Sequence, residues 1–293
     1  MELQSQLNEL QGKGLGLAAI SYDSPEILAA FSKQRGITFP LLSDKGSATI
    51  KRYGILNPFP EWSLGSEKDN PIVQADQKKY LTVNAPREEM RGVPFPGTFI
   101  LDRQGRVTSR YFEDFFNERN TVSSIMMRLG NRATTVPGTK ISTGQLDVTT
   151  YPSDSTISFG NRLSIALDVV PHAGMHVYAP GAKGYRVIGV NITPQQFVRV
   201  FPIIYPPSHI YFFKPLNERV PVYQTRFSLV QEVVLEANPQ AQAAFRGKDS
   251  LTLTGTLEYQ ACDDSICYNP ASIPLTWTLA LRPLIVERPA LPK

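Results

Sequence analysis

The spacing of hydrophobic residues changes partway along the chain. In the first part, short continuous apolar runs alternate with stretches in which apolar residues recur every three or four positions. The runs predict buried strands at residues 15–21 and 98–101 and a short strand at residues 37–42. The recurring positions predict helices at residues 3–10, 24–35, 47–53 and 122–129. With a hairpin turn at residues 102–105, this order predicts an incomplete thioredoxin-like α/β domain over residues 1–130.

The second part is rich in short strands and nearly lacks helical periodicity. After a linker at residues 131–143, alternating segments predict strands at residues 145–151, 162–170, 176–179, 187–192, 223–235, 251–260 and 273–281. One helical turn is expected near residues 239–245. This number and spacing of strands predict an all-β domain, an immunoglobulin-like β-sandwich, over residues 144–287.

Two segments fit neither pattern. Residues 57–92, rich in Pro, Gly, Asn and charge, indicate a long insertion loop. The N-terminus opens directly into a helical pattern without a capping segment, as if the chain were entered partway through a domain. We therefore expect a longer form whose first strand precedes Met1, and a start codon assigned too late would also explain the missing signal peptide.

Composition excludes several function classes. The 293 residues predict about two domains, and 30 basic against 26 acidic residues give a net charge of +4. This charge is small and evenly spread, so no nucleic-acid partner is expected. No apolar run reaches the roughly 18 to 20 residues that span a bilayer, and no secretory signal is visible.

The chain contains only two cysteines, Cys262 and Cys267. A disulfide between them would close a short ring, which the chain-entropy model credits with about 2 kcal/mol of stabilisation. A chain of this length and apolar content does not need such a staple to bury a core. The spacing therefore leaves two readings open, a small structural ring and the working dithiol of a redox protein.

A zinc site is the weaker alternative. Two thiolates would need two more ligands, and the only histidines are His172, His176 and His209. His172 and His176 are four apart and could share a strand face, but surface histidines with ordinary partners are commoner. We therefore expect no metal and no other cofactor.

Three segments of the first domain carry a family resemblance. The runs ISYDSP at residues 20–25, FPLLSD at 39–44 and PGTFILDRQG at 96–105 together resemble the AhpC/TSA peroxiredoxin and redoxin family. The resemblance implies a thioredoxin-like fold and antioxidant chemistry. Pro96 fits the position where thioredoxin-like redoxins place a cis-proline against their dithiol, while a trans proline that starts a strand is the alternative.

The departure from this family is as informative as the match. The family's reactive cysteine lies in the loop before the helix that here begins at Met1, and this sequence has no cysteine there. A peroxidase needs a thiolate nucleophile, so residues 1–130 as given cannot perform the family's chemistry. The first strand of the family is also missing, which predicts a short sheet with an unpaired edge.

The cysteine segment carries a second resemblance. YQAC at residues 259–262 and CYNP at 267–270 resemble the active-site segment of the N-terminal domain of the thiol:disulfide interchange protein DsbD. GMHVY at 174–178 resembles the neighbouring strand of that family, with His176 in place of a usual aromatic residue and Tyr178 retained. The resemblance places a cap loop that shields the dithiol at residues 212–220.

The second resemblance implies a thiol–disulfide oxidoreductase. Cys262 and Cys267 would relay electrons from a thioredoxin-like donor to disulfide-bearing acceptor proteins in the periplasm, with Cys267 favoured as the attacking residue. Asp263 and Asp264 would raise the pKa of the thiols, or would serve only as turn residues. Two alternatives remain: a non-catalytic binding module with a structural disulfide, and a peroxiredoxin active only in a longer chain.

Overall fold

The structure is a computed structural model that describes residues 2–81, 86–112, 118–130, 136–214 and 217–282. The chain divides into two compact units, one within Met1–Phe116 and the other within Asn117–Glu287. Each unit has its own elements and its own buried residues. The secondary structure is mixed α/β, with many strands and few long helices, as the sequence predicts.

The first unit alternates helices with short strands. Its elements are α1 Glu2–Ser5, α2 Leu7–Gly12, β1 Ala19–Ser21, α3 Pro25–Arg35, β2 Leu41–Ser43, α4 Ala48–Arg52, α5 Phe59–Leu64, α6 Pro71–Leu81, a 3-10 helix Glu88–Met90, β3 Gly97–Leu101 and β4 Val107–Phe112. The start and end predicted for helix α3 are confirmed. The Ser24 side chain accepts the backbone N–H of Ile27, and Gly36 ends the helix at a φ of 61°.

The sheets of this unit are small. Strands β1 and β2 pair in parallel, β3 and β4 form an antiparallel hairpin, and the described residues do not join the two pairs into one sheet. Ile20, Leu42 and Leu101 are 46%, 48% and 44% exposed. The prediction of buried strands at residues 15–21 and 98–101 is therefore wrong, because a two-stranded sheet lacks the further strands and the second covering layer that bury both faces.

The segment predicted as an insertion loop is largely helical instead. Residues 57–92 contain α5, α6 and the 3-10 helix. The side chains of Asn57 and Asn70 accept backbone N–H groups of the first turns of α5 and α6. An Asn followed by an early Pro is a helix-start signal, and the polar composition of the segment concealed it.

The second unit is built mainly of strands. Its elements are β5 Arg119–Asn120, α7 Val122–Arg128, β6 Thr139–Ser142, β7 Leu146–Pro152, β8 Thr156–Ile157, β9 Asn161–Pro171, β10 His176–Tyr178, β11 Gly189–Ile192, β12 Val198–Ile204, β13 His209–Phe213, β14 Glu218–Tyr223, β15 Phe227–Leu235, α8 Pro239–Ala244, β16 Ser250–Tyr259, β17 Ala261–Cys262 and β18 Ala271–Leu281. The predicted helical turn near residues 239–245 is confirmed as α8.

Two sheets of this unit share one core. One sheet has the order β12-β15-β9-β7-β6, with β5 beside β9, and the other has the order β11-β16-β18-β8. Alternate residues of β9, β15, β16 and β18 point inward and form one large apolar cluster. Trp277 on β18 donates its indole N–H to the Thr150 hydroxyl on β7 at 2.9 Å. This arrangement is a β-sandwich.

Helix α7 packs on the outside of the first sheet. Met127 contacts Tyr151 and Ala166, and the hydroxyls of Ser124 and Ser164 lie 2.7 Å apart. The sequence predicts this helix as the last element of the first domain, whereas the structure places it on β9. Strand β6, which pairs with β7, lies inside the predicted linker. Periodicity identifies such elements but not the sheet on which they pack.

A third sheet, with the order β13-β14-β10-β17, positions the cysteine segment. Val177 and Ala261 pair across β10 and β17 and point into the sandwich core. Because side chains alternate along a strand, their neighbours Tyr178 and Cys262 point to the opposite face. There they form a second, smaller cluster with Val220 and Val222.

Candidate functional site

A tight turn brings the two cysteines together. Cys262 ends β17, Cys267 follows the turn, and the two residues form a disulfide. The Asp263 carboxylate accepts the backbone N–H groups of Ser265 at 2.7 Å and Ile266 at 2.6 Å. The Asp263 N–H in turn donates to the Ile266 carbonyl. Asp263 therefore organises the turn, which confirms the turn-chemistry interpretation for this residue.

The two sulfur-bearing residues differ in their access to solvent. Cys262 is 0% exposed, because β17 pairs with β10 and β14 lies beyond it. Cys267 is exposed, and its neighbour Ile266 is 57% exposed. Of the two cysteines, only Cys267 is therefore open to a partner in this structure.

Tyr178 lies directly against the disulfide. Its hydroxyl is 2.9 Å from the Cys262 Sγ and 3.5 Å from the Cys267 Sγ. Its ring stacks on Tyr185 at a centroid distance of 4.0 Å, and Tyr185 donates its hydroxyl to the Glu218 carboxylate. Burial raises the pKa of Tyr178 far above its ordinary value. The hydroxyl thus stays protonated and remains a hydrogen-bond donor to sulfur.

His176 is the register partner of Cys262 across β10 and β17. It is 0% exposed, its ring lies 4.7 Å from the Tyr211 ring, and it meets the Tyr178 ring edge-on at 5.6 Å. Neither ring nitrogen has a hydrogen-bond partner among the described residues. Burial lowers the pKa of His176, while the negative charges of Asp264 and Asp263 act in the opposite direction.

The two aspartates place negative charge beside the cysteines. Backbone N–H groups of Ile266 and Ser265 hold the pKa of Asp263 below its ordinary value. Tyr268 also donates its hydroxyl to Asp263 at 3.2 Å. Asp264 accepts the hydroxyl of Tyr211. The site thus combines an ionised Asp263 in the turn with protonated tyrosine hydroxyls around it.

The structure brings together six of the predicted site residues: Cys262, Cys267, Asp263, Asp264, His176 and Tyr178. The seventh, Pro96, precedes β3 in the other unit. No peptide bond in the described part of the chain is cis, so the cis-proline implied by the redoxin resemblance is wrong and the trans alternative holds.

Three tyrosines of the site were not predicted from the sequence: Tyr185, Tyr211 and Tyr268. Tyr211 belongs to β13, and the segment predicted as a cap loop falls in the β13–β14 hairpin, although its residues 215 and 216 lie outside the described residues. The run of β-branched and aromatic residues in β13 is the sequence signal that could have identified Tyr211 as part of a strand. Tyr185 lies outside any strand and has no comparable signal.

The remaining histidines lie apart from any metal-like cluster. His172 contacts Asp147 and the Gly144 carbonyl, and His209 bonds to Gln224. Within the described ranges, no three His, Cys, Asp or Glu side chains are grouped so that they could hold a metal ion. Over the same ranges, no helix has the length and apolarity needed to cross a membrane.

Comparisons with known proteins divide the chain in the same way. Residues 1–110 match the model of the AhpC/TSA family, and residues 148–274 match the model for the N-terminal part of the thiol:disulfide interchange protein DsbD. Both matches confirm the resemblances seen in the sequence. No curated protein matches the chain.

Two solved structures are similar to part of the chain. The N-terminal periplasmic domain of ScsB from Proteus mirabilis aligns at 17% identity and a TM-score of 0.36, covering 48% of this chain. The chain spans about half of that structure, at 51%. The GAE domain of GGA2p from Saccharomyces cerevisiae aligns at 9% identity and a TM-score of 0.27, covering 48% of this chain and 96% of that one.

The disulfide and all the side chains around it fall within the DsbD-type match, whereas the AhpC/TSA match contains no cysteine. The chain thus joins a segment that matches the AhpC/TSA family to a segment that matches the N-terminal family of DsbD, and the second segment carries the cysteine pair.

Proposed function

We propose that this chain is a thiol–disulfide oxidoreductase that relays electrons through Cys262 and Cys267 to disulfides of partner proteins. The observation that carries the proposal is the asymmetric disulfide, with an exposed Cys267 and a buried Cys262, in a segment that matches the DsbD N-terminal family. One exposed and one buried cysteine suit an exchange reaction, because a partner can approach the exposed residue while the buried one acts within the chain.

In the reducing half-reaction, a thioredoxin-like donor supplies a dithiol. One donor thiolate attacks the exposed Cys267 Sγ, the Cys262–Cys267 bond breaks, and its electron pair leaves on the Cys262 Sγ. The second donor thiol, as thiolate, then attacks the donor sulfur of the mixed disulfide and releases Cys267. The donor ends as a disulfide, and this chain ends as a dithiol that has gained two electrons and two protons.

The second half-reaction reverses these roles. The Cys267 thiolate attacks a disulfide of the acceptor protein and forms a mixed disulfide with one acceptor sulfur. Cys262 then attacks Cys267, which re-forms the intramolecular disulfide and releases the acceptor as a dithiol. Two electrons pass from the donor to the acceptor, and no cofactor is required.

The side chains around the disulfide support this chemistry in different ways. The Tyr178 hydroxyl, 2.9 Å from the Cys262 Sγ, donates a hydrogen bond to the sulfur that leaves. Asp263 and Asp264 raise the pKa of the thiols and repel other thiolates, which limits exchange with partners that do not dock. These roles would give a relay that is slow with free thiols and fast with its partner.

The organisation of the chain fits a relay. We propose that the first unit, within residues 1–116, is a redoxin-like domain and that the strand-rich unit from residue 117 onward is an immunoglobulin-like sandwich that carries the redox centre. Residues 1–130 of this sequence hold no cysteine, so peroxide reduction there is not part of the proposal. A persistent disulfide belongs in an oxidising compartment, and we propose the periplasm.

Trapping of a mixed disulfide tests the proposal. A thioredoxin-like donor that lacks its resolving cysteine, presented as a disulfide with a chromogenic thiol, is offered to Cys262→Ser and to Cys267→Ser variants. We expect a covalent complex with Cys262→Ser, in which Cys267 remains, and little complex with Cys267→Ser. No complex with either variant, while the donor still reacts with a small dithiol, would contradict the proposal.

One observation favours a second candidate, a binding module with a structural disulfide. Cys262 is completely buried, as is usual for a sulfur that serves only as a staple. Structural disulfides have reduction potentials below about −300 mV, whereas exchanging dithiols lie between about −270 and −120 mV. The potential of the Cys262–Cys267 pair therefore separates the two candidates.

A further inference from the structure

His176 is a buried titratable group that the relay described above does not use. Its side chain is completely buried, and both ring nitrogens lack a hydrogen-bond partner among the described residues. An unpaired buried polar group costs about 1 to 3 kcal/mol. A phenylalanine would make the same ring contacts with Tyr211 and Tyr178 without this cost. The imidazole therefore needs an explanation beyond packing.

The register of the sheet places His176 at the strand position beside Cys262, and neither ring nitrogen is hydrogen-bonded to the Cys262 Sγ in the disulfide form. His176 and Cys262 are paired directly across β10 and β17, and such side chains have Cβ atoms about 4.5 to 5.5 Å apart on the same face. The Tyr178 hydroxyl, two residues along the same face, reaches the Cys262 Sγ. The position of His176 is thus the other side-chain position of β10 that flanks this sulfur.

The exchange reaction forms a buried negative charge on Cys262 that needs a stabilising partner. When a donor thiolate attacks Cys267, the bond electrons leave on the Cys262 Sγ, which becomes a thiolate with no access to solvent. A buried anion is costly unless it is paired with a cation or receives hydrogen bonds. Tyr178 supplies one hydrogen bond and no charge.

We propose that His176 takes up a proton from solvent when the Cys262 thiolate forms, pairs with that thiolate as an imidazolium, and returns the proton when Cys262 becomes a thiol or re-forms the disulfide. This inference rests on the proposed function and adds to it a redox-linked proton site. In the step itself the S–S bond breaks, its electron pair goes to the Cys262 Sγ, and one solvent proton binds to the ring. The electrons come from the donor dithiol.

The groups that face His176 are consistent with this role. Tyr178 on β10, Tyr211 and His209 on β13, and the turn residues Asp263 and Asp264 surround it or act on it. The two carboxylates favour protonation of the ring, and burial with the charge of His209 opposes it. Because burial is the larger effect, the His176 ring stays neutral beside the disulfide. A new negative charge at Cys262 then favours its protonation.

The test is a thiol titration in a chain that carries only Cys262. The Cys267→Ser variant has one sulfur and no disulfide, so thiolate absorbance against pH reports the dissociation constant of Cys262 alone. Adding His176→Phe removes the cation that would stabilise the Cys262 thiolate. The acid dissociation constant of Cys262 should therefore decrease at least about tenfold, because an opposite charge at this range shifts a pKa by about 1 to 3 units. His176→Gln, which keeps an N–H donor but cannot ionise, should behave like His176→Phe.

The control variant is His172→Phe in the same Cys267→Ser chain. His172 contacts Asp147 and the Gly144 carbonyl and is not among the groups that act on His176, so its removal should leave the Cys262 titration unchanged. The inference is overturned if His176→Phe leaves the titration unchanged, or if His176→Gln titrates like the parent chain. Circular dichroism confirms that each variant is folded, and the Gln variant retains the test should the Phe variant fail to fold.

Exchange with the donor, measured separately on the chain with both cysteines, keeps this inference distinct from the proposed function. If the Cys262 titration shifts as expected but the disulfide does not exchange with any thioredoxin-like donor, the proposed function fails. If exchange proceeds and the titration does not shift, only the role of His176 fails.

Discussion

Replacement of Tyr178 by Phe is the most specific perturbation of the disulfide that the structure offers. The change removes the hydroxyl that lies 2.9 Å from the Cys262 Sγ and 3.5 Å from the Cys267 Sγ. The ring keeps its stacking contact with Tyr185, so packing is conserved. A thiol or thiolate sulfur is a better acceptor than a disulfide sulfur. The lost hydrogen bond therefore destabilises the reduced form more than the oxidised form.

The size of the effect follows from the net value of one hydrogen bond. A typical intramolecular hydrogen bond contributes about 1 kcal/mol. For a two-electron couple, 30 mV corresponds to about 1.4 kcal/mol, so the reduction potential of the Tyr178→Phe variant should fall by about 20 mV. Equilibration with glutathione buffers, followed by trapping of free thiols, measures this shift.

Tyr223→Phe is the matched control, because it removes a tyrosine hydroxyl of the same unit that donates to the Pro206 carbonyl rather than to sulfur. Its potential should stay within error of the parent protein. An unchanged or higher potential in Tyr178→Phe would refute the reasoning. An equal fall in both variants would show that the effect comes from general loosening of the site and not from the hydroxyl at the sulfurs.

Three further predictions follow from the second unit. Asp263→Asn should accelerate attack by a donor thiolate severalfold, since it removes the negative charge but keeps an oxygen that accepts the Ser265 N–H. Equal stopped-flow rates for the variant and the parent would mean that Asp263 only organises the turn. Gly255→Ala should lower the free energy of unfolding in urea by about 1 to 3 kcal/mol, because the new Cβ would lie 2.6 Å from the Asn191 carbonyl oxygen; an unchanged midpoint would contradict this steric argument. Burial lowers the pKa of His176, so its contribution to stability is complete above about pH 6.5 and is lost as the pH falls. Between about pH 8 and pH 5, the urea midpoint of His176→Phe should therefore fall less steeply than that of the parent protein. Parallel plots of midpoint against pH for the two proteins would contradict this prediction.

The sequence was sufficient to locate the site on its strands. The alternation that predicts a strand at residues 251–260 corresponds to β16, which leads through Gln260 into β17 and Cys262. The GMHVY run placed His176 and Tyr178 beside the cysteines, as the register of β10 and β17 confirms. The period-two pattern predicted the strand, and the resemblance to the DsbD N-terminal family implied that the GMHVY strand lies beside the cysteines.

The surroundings of the site could not be predicted in the same way. Tyr211 reaches Asp264, and Tyr185 stacks on Tyr178, through contacts between residues far apart in sequence. Such contacts depend on which strands become neighbours, and periodicity does not specify that order. The burial of Cys262 has the same origin, because β10 covers it on one side.

The first unit shows the opposite limitation. Helix α3 follows from the local capping signals of Ser24 and Gly36 and was predicted correctly, whereas α5 and α6 were missed. The strands at residues 15–21 and 98–101 were predicted as buried because apolar runs of that length are usually covered on both faces. In the structure they form two-stranded sheets, so Ile20 and Leu101 remain exposed.

The reduction potential of the Cys262–Cys267 pair tests the central claim most directly. The protein is equilibrated in glutathione buffers of graded potential, and free thiols are trapped and counted. The account predicts a value between about −270 and −180 mV, where thioredoxin-like proteins and their partners exchange electrons. A value below about −300 mV would contradict it and would assign the disulfide a structural role.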